Sequence, residues 1–317
     1  MARLFPRDSL QKRLDREDLL RHAKWRLEAL VLAAFWLVSG LLSPDRASAF
    51  GRGLVRILGP RLKKTRHFRR NLMLAFPDKT DEEVDALTRE AWGNVGAVIA
   101  EFPHLGRICG SEAASRVEMV VRGNVEALSR DNKRAVYVTA HLANWEVPAA
   151  LGARLGIPLT VVYTAMTNPL IDRMLRRRRA VLDCDLLDRH RGMRPIVRVL
   201  ANGGAVALVV DQRVDTGAPV PFFGLEKPTT VVPARLALRS GCELVPVRVE
   251  RLRGARFRVT VHEPLRWDDD AADDGEKVLQ MTRKMNALFE TWIREKPQEW
   301  MCSNRRFPKT ATRLAGT

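Results

Sequence analysis

The chain has few of the residues that mark several common classes of protein. Its 317 residues include only two Tyr and four Cys, and the cysteines are far apart without a CxxC pair. Such spacing disfavours a zinc site or a disulfide framework and indicates reduced thiols. No Gly-x-Ser-x-Gly elbow is present, so a serine hydrolase would lack its nucleophile. Gly51-Arg-Gly53 follows no predicted strand and lacks the rest of a dinucleotide-binding motif, so it is not a cofactor loop.

Long apolar runs are also scarce. Ala29–Leu42 is a run of fourteen residues without a charge. As a helix it would be about 21 Å long, against about 30 Å for the hydrocarbon core of a bilayer. A spanning helix would therefore have to recruit flanking residues, including the charged Glu28. The alternatives are a plain buried helix and a secretory signal, and the 28 preceding residues are long for the start of a signal.

Positive charge is abundant and uneven. The chain carries a net charge of +17, and residues 1–70 contain 17 Lys and Arg against 6 Asp and Glu. Cations on both sides of the apolar run favour a helix that enters the cytoplasmic leaflet and returns, attracted by anionic headgroups. Nucleic-acid binding is the competing interpretation, but the chain has no zinc-finger spacing and no aromatic-rich basic strand for stacking bases. We therefore predict a membrane-anchored protein that binds no nucleic acid.

The middle and C-terminal parts of the chain alternate between short apolar runs and helical patterns. This alternation is typical of an α/β sheet flanked by helices. The predicted strands are Ala135–Ala140, Leu159–Thr164, Ala205–Val210, Leu244–Glu250 and Arg256–His262. The predicted helices are Asp78–Ala100, Asn144–Leu155, Pro169–Leu182, Pro195–Ala201, Val232–Arg239 and Glu276–Glu295.

These patterns predict three parts of the chain. Residues 1–70 form a basic membrane-associating segment that contains the apolar helix 29–42. Residues 71–309 form one α/β domain with a mixed sheet, and residues 310–317 form a disordered tail.

A histidine and a carboxylate lie five residues apart, directly after the first predicted strand. His141-Leu-Ala-Asn-Trp-Glu146 directly follows the buried run Ala135–Ala140. Open α/β sheets bind their ligands at the carboxyl ends of strands. A carboxylate that holds an imidazole fixes its tautomer and stabilises the imidazolium, as the deprotonation of an alcohol requires. We expect His141 to be a general base and Glu146 to fold back toward it.

A second polar cluster follows another predicted strand. Asp211-Gln212-Arg213 comes directly after Ala205–Val210, and an apolar, constrained stretch with Phe222 and Phe223 comes next. Polar groups beside an apolar wall suit a site for an acyl chain near a polar headgroup. Each piece is ambiguous by itself, since Asp211 could cap a turn and both phenylalanines could belong to the core.

Taken together and in order, these segments resemble the bacterial lipid A biosynthesis acyltransferases, the lauroyl and myristoyl transferases, within a wider glycerolipid acyltransferase-like superfamily. The resemblance covers about residues 25–309. The matching pieces, after the N-terminal apolar run, are Arg70-Asn-Leu with Phe76-Pro77, His141-x4-Glu146, Val162-Tyr163, Asn168-Pro-Leu-Ile-Asp172, Asp211-Gln212, Val220-Pro-Phe-Phe-Gly224, Val245-Pro-Val247 and Arg305-Arg-Phe307.

The resemblance implies a glycerolipid acyltransferase-like fold and a role for each part of the site. His141 would be the general base and Glu146 its orienting partner. The donor would be a fatty acyl thioester on acyl carrier protein or coenzyme A, with no metal or other cofactor. The acceptor would be a hydroxyl of an anionic glycolipid at the cytoplasmic face of the bacterial inner membrane. The candidate substrate-binding residues are Asn144, Arg179, Asp211, Gln212, Arg213, Phe222 and Phe223.

The chain departs from the family pattern at three positions. Thr164 stands where an arginine is common, and Cys302 and Asn304 stand where Trp and His are usual. These changes leave the acceptor open among a lipid A precursor, a lysophospholipid and another lyso-lipid. Two further functions stay open, a thioester hydrolase and an inactive membrane scaffold of the same fold.

Overall fold

A seven-stranded sheet lies at the centre of the protein. The computed structural model describes residues 7–110, 116–123, 134–308 and 310–311. The strand order is β1-β9-β8-β2-β5-β3-β4, with every neighbouring pair parallel except β8 and β9. A separate antiparallel hairpin joins β6 to β7. The strands are β1 Val117–Val121, β2 Ala135–Thr139, β3 Leu159–Tyr163, β4 Asp185–Asp188, β5 Ala205–Val209, β6 Ala218–Phe222, β7 Leu225–Thr229, β8 Glu243–Arg253 and β9 Arg256–Val261.

Helices cover the sheet and form the N-terminal part of the chain. The strand β2 is buried along its whole length, as a parallel strand covered on both faces should be. The helices are α1 Arg7–Leu41, α2 Pro44–Leu58, α3 Thr65–Ala75, α4 Asp81–Glu101, α5 Leu105–Cys109, α6 Leu151–Leu155, α7 Pro169–Arg179, α8 Met193–Ala201, α9 Val232–Ser240 and α10 Asp274–Glu295. The predicted mixed α/β sheet is thus confirmed.

The five predicted strands are all present, whereas β1, β4, β6 and β7 were not predicted. The strand β4 reads Asp-Leu-Leu-Asp, with only two apolar residues. The strands of the hairpin each contain proline, which lowers the strand signal. Their pairing depends on residues that are close in space, and a local sequence pattern does not include these.

The predicted helix Asn144–Leu155 is wrong in its first half. Residues 144–146 form a turn, Val147–Ala150 is a 3₁₀ turn, and α6 begins only at Leu151. Ala143 has φ of 46°, and the side chain of Asn144 accepts a hydrogen bond from the backbone N–H of Glu146 at 3.1 Å. Pro148 also lacks a backbone N–H, so it cannot donate a helical hydrogen bond. Glu146 therefore lies in a tight turn and not in the first turn of a helix.

The N-terminal helix α1 is longer than its apolar run and docks on the rest of the protein. The indole N–H of Trp36 donates to the carbonyl of Ile99 at 2.9 Å. His104 Nε2 lies 2.9 Å from the carbonyl of Ser39. Within the described part of the chain, no helix is long and apolar enough to cross a membrane, so the structure gives no support for the predicted N-terminal membrane helix.

Helices α2 and α4 cross at two glycines. A Cβ added at Gly51 would lie 2.2 Å from the carbonyl oxygen of Gly96, and one added at Gly96 would lie 2.1 Å from that of Gly51. Only glycine therefore permits this close approach of the two backbones. The crossing matters for the site because α4 also carries Asn94 and Glu101, which contact the turn after β2.

The structure describes residues 310 and 311 of the predicted tail 310–317. The rest of that tail lies outside the described residues. The predicted boundary between residues 70 and 71 lies inside α3.

Candidate active site

His141 and Asp211 form the centre of the site. The strands β2 and β5 are parallel neighbours, with Thr139 opposite Val209. His141 and Asp211 each come two residues after the end of their strand, so the register brings the two side chains together. His141 Nδ1 lies 2.6 Å from Asp211 Oδ1.

The surroundings of Asp211 keep its carboxylate ionised. The residue is 2% exposed, and the indole N–H of Trp300 donates to its second oxygen at 2.9 Å. Burial by itself would raise the pKa of Asp211, but the hydrogen bonds and charge of His141 and the bond from Trp300 lower that pKa below its usual value. An ionised Asp211 can only accept, so in the neutral form of His141 the proton is on Nδ1 and Nε2 carries the lone pair.

Glu146 contacts Arg179 instead of His141. Its two oxygens accept from Nε and Nη2 of Arg179, each at 2.7 Å, and the side chains are 7% and 16% exposed. Burial opposes the charge on Arg179, but the carboxylate of Glu146 outweighs it and raises the pKa of Arg179. The expected contact between Glu146 and His141 is therefore wrong, because Asp211 occupies Nδ1 and Arg179 takes both oxygens of Glu146. His141 contacts Trp145, the residue before Glu146, edge to face at 5.5 Å between ring centroids.

Arg179 is placed by α7, which it ends. The helix starts after Asn168, whose side chain accepts from the backbone N–H of Leu170 at 3.0 Å. The same side chain donates to Glu28 of α1 at 2.9 Å. The start of α7, the helix that ends at Arg179, is thus tied to the N-terminal helix.

A C-terminal segment holds the turn that carries His141. The backbone N–H of Met301 donates to the carbonyl of His141 at 2.8 Å, and that of Ala143 donates to the carbonyl of Glu299 at 3.1 Å. The side chain of Asn94 donates to the carbonyls of Ala143 and Glu299 at 2.9 and 3.1 Å. The positive φ of Ala143 is thus stabilised by three hydrogen bonds from outside the turn.

Asn144 belongs to a buried polar network and not to the open site. It is fully buried and donates to Glu101 Oε2 at 2.8 Å. Glu101 is also bound by both terminal nitrogens of Arg251, through Nη1 to Oε1 and through Nη2 to Oε2 at 3.2 Å. The expected substrate contact of Asn144 is therefore replaced by a structural one, since its amide is already used within the protein.

Gln212 lies beside the His141–Asp211 pair, and Arg213 follows it in the chain. Gln212 Nε2 is 3.5 Å from His141 Nε2, and the side chain of Asn304 donates to Gln212 Oε1 at 3.2 Å. Arg213 is 22% exposed and lies 2.6 Å from Asp215. Asn304, one of the departures from the family pattern, thus orients the amide nearest the free nitrogen of His141.

The structure places Phe222 and Phe223 inside the protein, at 0% and 4% exposure. Their rings contact one another at 4.9 Å, and both contact Trp300. They do not form an exposed wall for a ligand. Instead they pack behind the indole that binds Asp211.

An apolar cleft opens between the sheet and the segment that follows Glu146. Its empty space is about 570 Å³, including the part open to solvent. Trp145 and Thr139 lie in its lining, as do Tyr137, Ala207 and Leu155. Trp145 lines the cleft and also contacts His141. Beyond the buried strands, no sequence pattern indicated this cleft, and none indicated Trp300 as the second partner of Asp211.

Among the described residues, no three His, Cys, Asp or Glu side chains are grouped so that they could hold a metal ion.

Comparison with known proteins identifies the family of the chain. A profile of the family described as bacterial lipid A biosynthesis acyltransferases matches residues 15–309. The chain belongs to this family. It is similar to the lipid A biosynthesis palmitoleoyltransferase of Escherichia coli K12, with 25% identity over 316 residues and 96% of each chain covered. It is also similar to the myristoyltransferase of the same organism, with 23% identity over 234 residues, covering 73% of this chain and 71% of the relative.

A lipid A biosynthesis acyltransferase of Haemophilus influenzae shares 22% identity over 254 residues, covering 77% of this chain and 76% of the relative. Membership of the lipid A biosynthesis acyltransferase family makes the protein an acyltransferase. The predicted family and enzyme class are thus confirmed.

Proposed function

We propose that this acyltransferase moves a fatty acyl group from an acyl thioester to a hydroxyl of a lipid A precursor at the cytoplasmic face of the inner membrane. The observation that carries the proposal is the hydrogen bond between His141 Nδ1 and the buried carboxylate of Asp211. It leaves Nε2 of a partly exposed imidazole as a proton acceptor, as alcohol activation requires.

The proposed step uses His141 as the base. As the hydroxyl oxygen attacks the thioester carbonyl, Nε2 takes its proton and a tetrahedral oxyanion forms. The C–S bond then breaks, the electron pair leaves with sulfur, and the imidazolium returns the proton to the thiolate. Asp211 stabilises the imidazolium between these events. The step consumes one thioester and one alcohol and needs no further cofactor.

The oxyanion requires positively charged or N–H donors. Arg179 is suited to this because the two hydrogen bonds that it donates to Glu146 fix its guanidinium and leave Nη1 outside that pairing. In this proposal Glu146 positions Arg179, which is a different role from orienting the histidine. Gln212, beside His141, and its neighbour in the chain, Arg213, would contact the acceptor headgroup.

The apolar cleft beside Trp145 is the proposed site of the acyl chain. One of its lining residues, Trp145, contacts His141, and the lining is almost entirely aliphatic and aromatic, as a saturated chain requires. The chain's net charge of +17 suits an acidic acyl carrier protein or coenzyme A as donor and an anionic acceptor lipid.

Membrane binding is proposed from the distribution of apolar surface. Thirteen of the twenty-one exposed large apolar side chains in the described part of the protein lie between Leu19 and Leu62. Residues 1–70, which include this stretch, contain 17 Lys and Arg against 6 Asp and Glu. Apolar and basic side chains together favour a helix that lies in the interface of an anionic leaflet.

A lipid mass-spectrometric assay tests the transfer. Membranes containing wild type, His141→Ala or His190→Ala receive acyl thioesters with a lipid A precursor and, separately, with lysophospholipids. We expect the lipid A precursor to gain one acyl mass with wild type and with His190→Ala, which changes an exposed histidine, but not with His141→Ala.

Other outcomes identify the other functions. A gain of mass only on lysophospholipid would change the acceptor. Release of free fatty acid without any acylated lipid would indicate a thioester hydrolase. No turnover by wild type would indicate a scaffold, and transfer by His141→Ala at the wild-type rate would remove the proposed base.

A further inference from the structure

Two aromatic rings lie against the guanidinium of Arg179. Its central carbon, Cζ, is 5.8 Å from the ring centroid of Phe102 and 5.9 Å from that of Tyr163. Both distances are within the range in which an arginine is attracted to the face of an aromatic ring. Phe102 directly follows α4, and Tyr163 is the last residue of β3. Two elements that are separate in the sequence therefore meet at this one side chain.

The pair with Glu146 leaves Arg179 a movement that these rings restrict. Hydrogen bonds of 2.7 Å hold Nε and Nη2 of Arg179 against the carboxylate. Such a pair fixes one edge of the planar guanidinium, but the plane can still tilt about that edge. Of the three nitrogens, a tilt would move Nη1 most, because Nη1 lies opposite the paired edge. Rings in contact with the guanidinium oppose the tilt and so determine the direction of Nη1.

Helix α1 supports one of the two rings. The indole of Trp36 stacks on Phe102, with 5.6 Å between the ring centroids and 24° between their planes. The two residues are only 4% and 5% exposed. The indole N–H also donates to the carbonyl of Ile99 on α4 at 2.9 Å, and Cζ of Arg178 lies 5.6 Å from the indole centroid. The position of Phe102 therefore depends on α1 as well as on α4.

We propose that Phe102 and Tyr163 are positioning residues, which hold the guanidinium of Arg179 so that Nη1 keeps one direction, and that Trp36 supports Phe102 in this role. The inference rests on the proposed function, in which Arg179 stabilises the oxyanion. The oxyanion forms only in the transition state, so the loss of a ring should lower kcat and leave KM for both substrates little changed. The N-terminal helix thereby supports the active site in addition to contacting the membrane.

Substitutions at Tyr163 test the role of the ring. Tyr163→Ile removes the ring and keeps an apolar residue that suits a strand, whereas Tyr163→Phe keeps the ring. We expect Tyr163→Ile to lower kcat about three- to thirtyfold, as the loss of a cation–π contact would, and Tyr163→Phe to keep the wild-type kcat. The matched control is Trp267→Leu, which removes a ring that contacts Lys277 at 5.4 Å in a different part of the chain. An unchanged kcat in Tyr163→Ile would overturn the proposal.

Hydrogen exchange at Arg179 tests the positioning without any turnover. In protein made with isotopically labelled arginine, the Nε–H resonance of Arg179 is assigned by its absence from Arg179→Lys. Exchange of this proton with water should be faster in Tyr163→Ile, because a less restricted guanidinium breaks its hydrogen bond to Glu146 more often. It should be unchanged in Tyr163→Phe and Trp267→Leu. Equal exchange in wild type and Tyr163→Ile would overturn the proposal. If a thermal melt shows that Tyr163→Ile does not fold, Phe102→Leu, which removes the other ring, replaces it in each measurement.

A background without the arginine separates this inference from the proposed function. Glu146→Gln combined with Arg179→Met removes both charges of the pair together. If Tyr163 acts through Arg179, adding Tyr163→Ile to this background should lower kcat no further. The same loss as in wild type would show that the ring acts elsewhere and would overturn the inference. If the background has no measurable rate, the kcat and the exchange rate of Tyr163→Ile decide.

A background that keeps the wild-type kcat would instead reject Arg179 as the group that stabilises the oxyanion. Faster exchange in Tyr163→Ile would then still show that the ring holds the guanidinium. The failure of the proposed role of Arg179 and the failure of its positioning by Tyr163 thus give different results.

Discussion

The carboxylate beside His141 belongs to a residue seventy positions further along the chain. Asp211 meets all the requirements of an orienting acid: it is buried, it contacts Nδ1 at 2.6 Å, and the indole of Trp300 binds its other oxygen. Glu146, in contrast, is used entirely by Arg179. At the scale of single residues the site thus contains two separate pairs, one suited to move a proton and one suited to stabilise negative charge.

Replacing Asp211 tests this division. In Asp211→Asn the imidazolium loses its counter-charge, and the amide can donate to Nδ1 and hold the wrong tautomer. We expect kcat to fall by about 10²–10⁴-fold, the usual contribution of a general base, with KM for the acceptor little changed. Steady-state rates of acyl transfer measure both constants.

The matched control for that substitution is Asp274→Asn on α10, whose side chain is 79% exposed and far along the chain from the site. It should keep the wild-type kcat. If Asp211→Asn also kept kcat within a few-fold of wild type, another group would have to activate the alcohol.

At the scale of elements, the crossing of α2 and α4 determines where the turn after β2 lies. Helix α4 supplies Asn94 to the carbonyl of Ala143 and Glu101 to the amide of Asn144. Arg251 of β8 binds the same Glu101. A shift of α4 would therefore move the backbone next to His141 as well as the buried ion pair.

Two alanine substitutions in α2 separate this packing effect from helix propensity. In Gly51→Ala the new methyl group would meet the backbone of α4, so we expect a melting temperature several degrees lower and reduced acyl transfer. In Gly53→Ala nothing lies within 4 Å of the new Cβ. Because alanine favours a helix over glycine by about 1 kcal/mol, that variant should melt at the same or a higher temperature. Equal melting temperatures for the two variants would contradict the importance of the crossing.

At the scale of the whole molecule, apolar surface and positive charge are concentrated in the same N-terminal region. Leu30, Leu37 and Leu41 of α1 are exposed by 66%, 69% and 81%. Exposed leucines at this density are typical of a surface that contacts lipid or protein. The excess of Lys and Arg among residues 1–70 favours an anionic lipid surface over a neutral one.

Vesicle binding tests this assignment. The double variant Leu37→Glu and Leu41→Glu should bind vesicles that contain anionic lipid at least tenfold more weakly than wild type, since each buried leucine contributes about 1.5–3 kcal/mol. The control is Leu252→Glu with Trp267→Glu, which changes two exposed apolar residues outside the N-terminal region. High salt should weaken the binding of wild type in part. Equal binding by both double variants would show that α1 is not the contact surface.

Local patterns in the sequence were sufficient for the central strands, for the long helices α4 and α10 and for the position of His141. Buried parallel strands are apolar along their whole length, as Ala135–Ala140 is, and a long amphipathic helix such as α10 repeats its pattern over several turns. The ordered motifs from Arg70 to Phe307 were specific enough to identify the family. These features depend on residues that are neighbours in the sequence, so a local pattern is enough to predict them.

The partner of His141 was decided only by the tertiary structure. Glu146 is near in sequence, but the positive φ of Ala143 and the hydrogen bond from Glu146 N–H to Asn144 hold it in a turn where it contacts Arg179. Asp211 reaches the imidazole because β5 lies next to β2 in a sheet whose strand order differs from the chain order. The position of Trp300 and the apolar cleft beside Trp145 have the same origin. The sequence by itself determined which residues could carry the chemistry, and the pairing of distant strands and segments decided which of them are in contact.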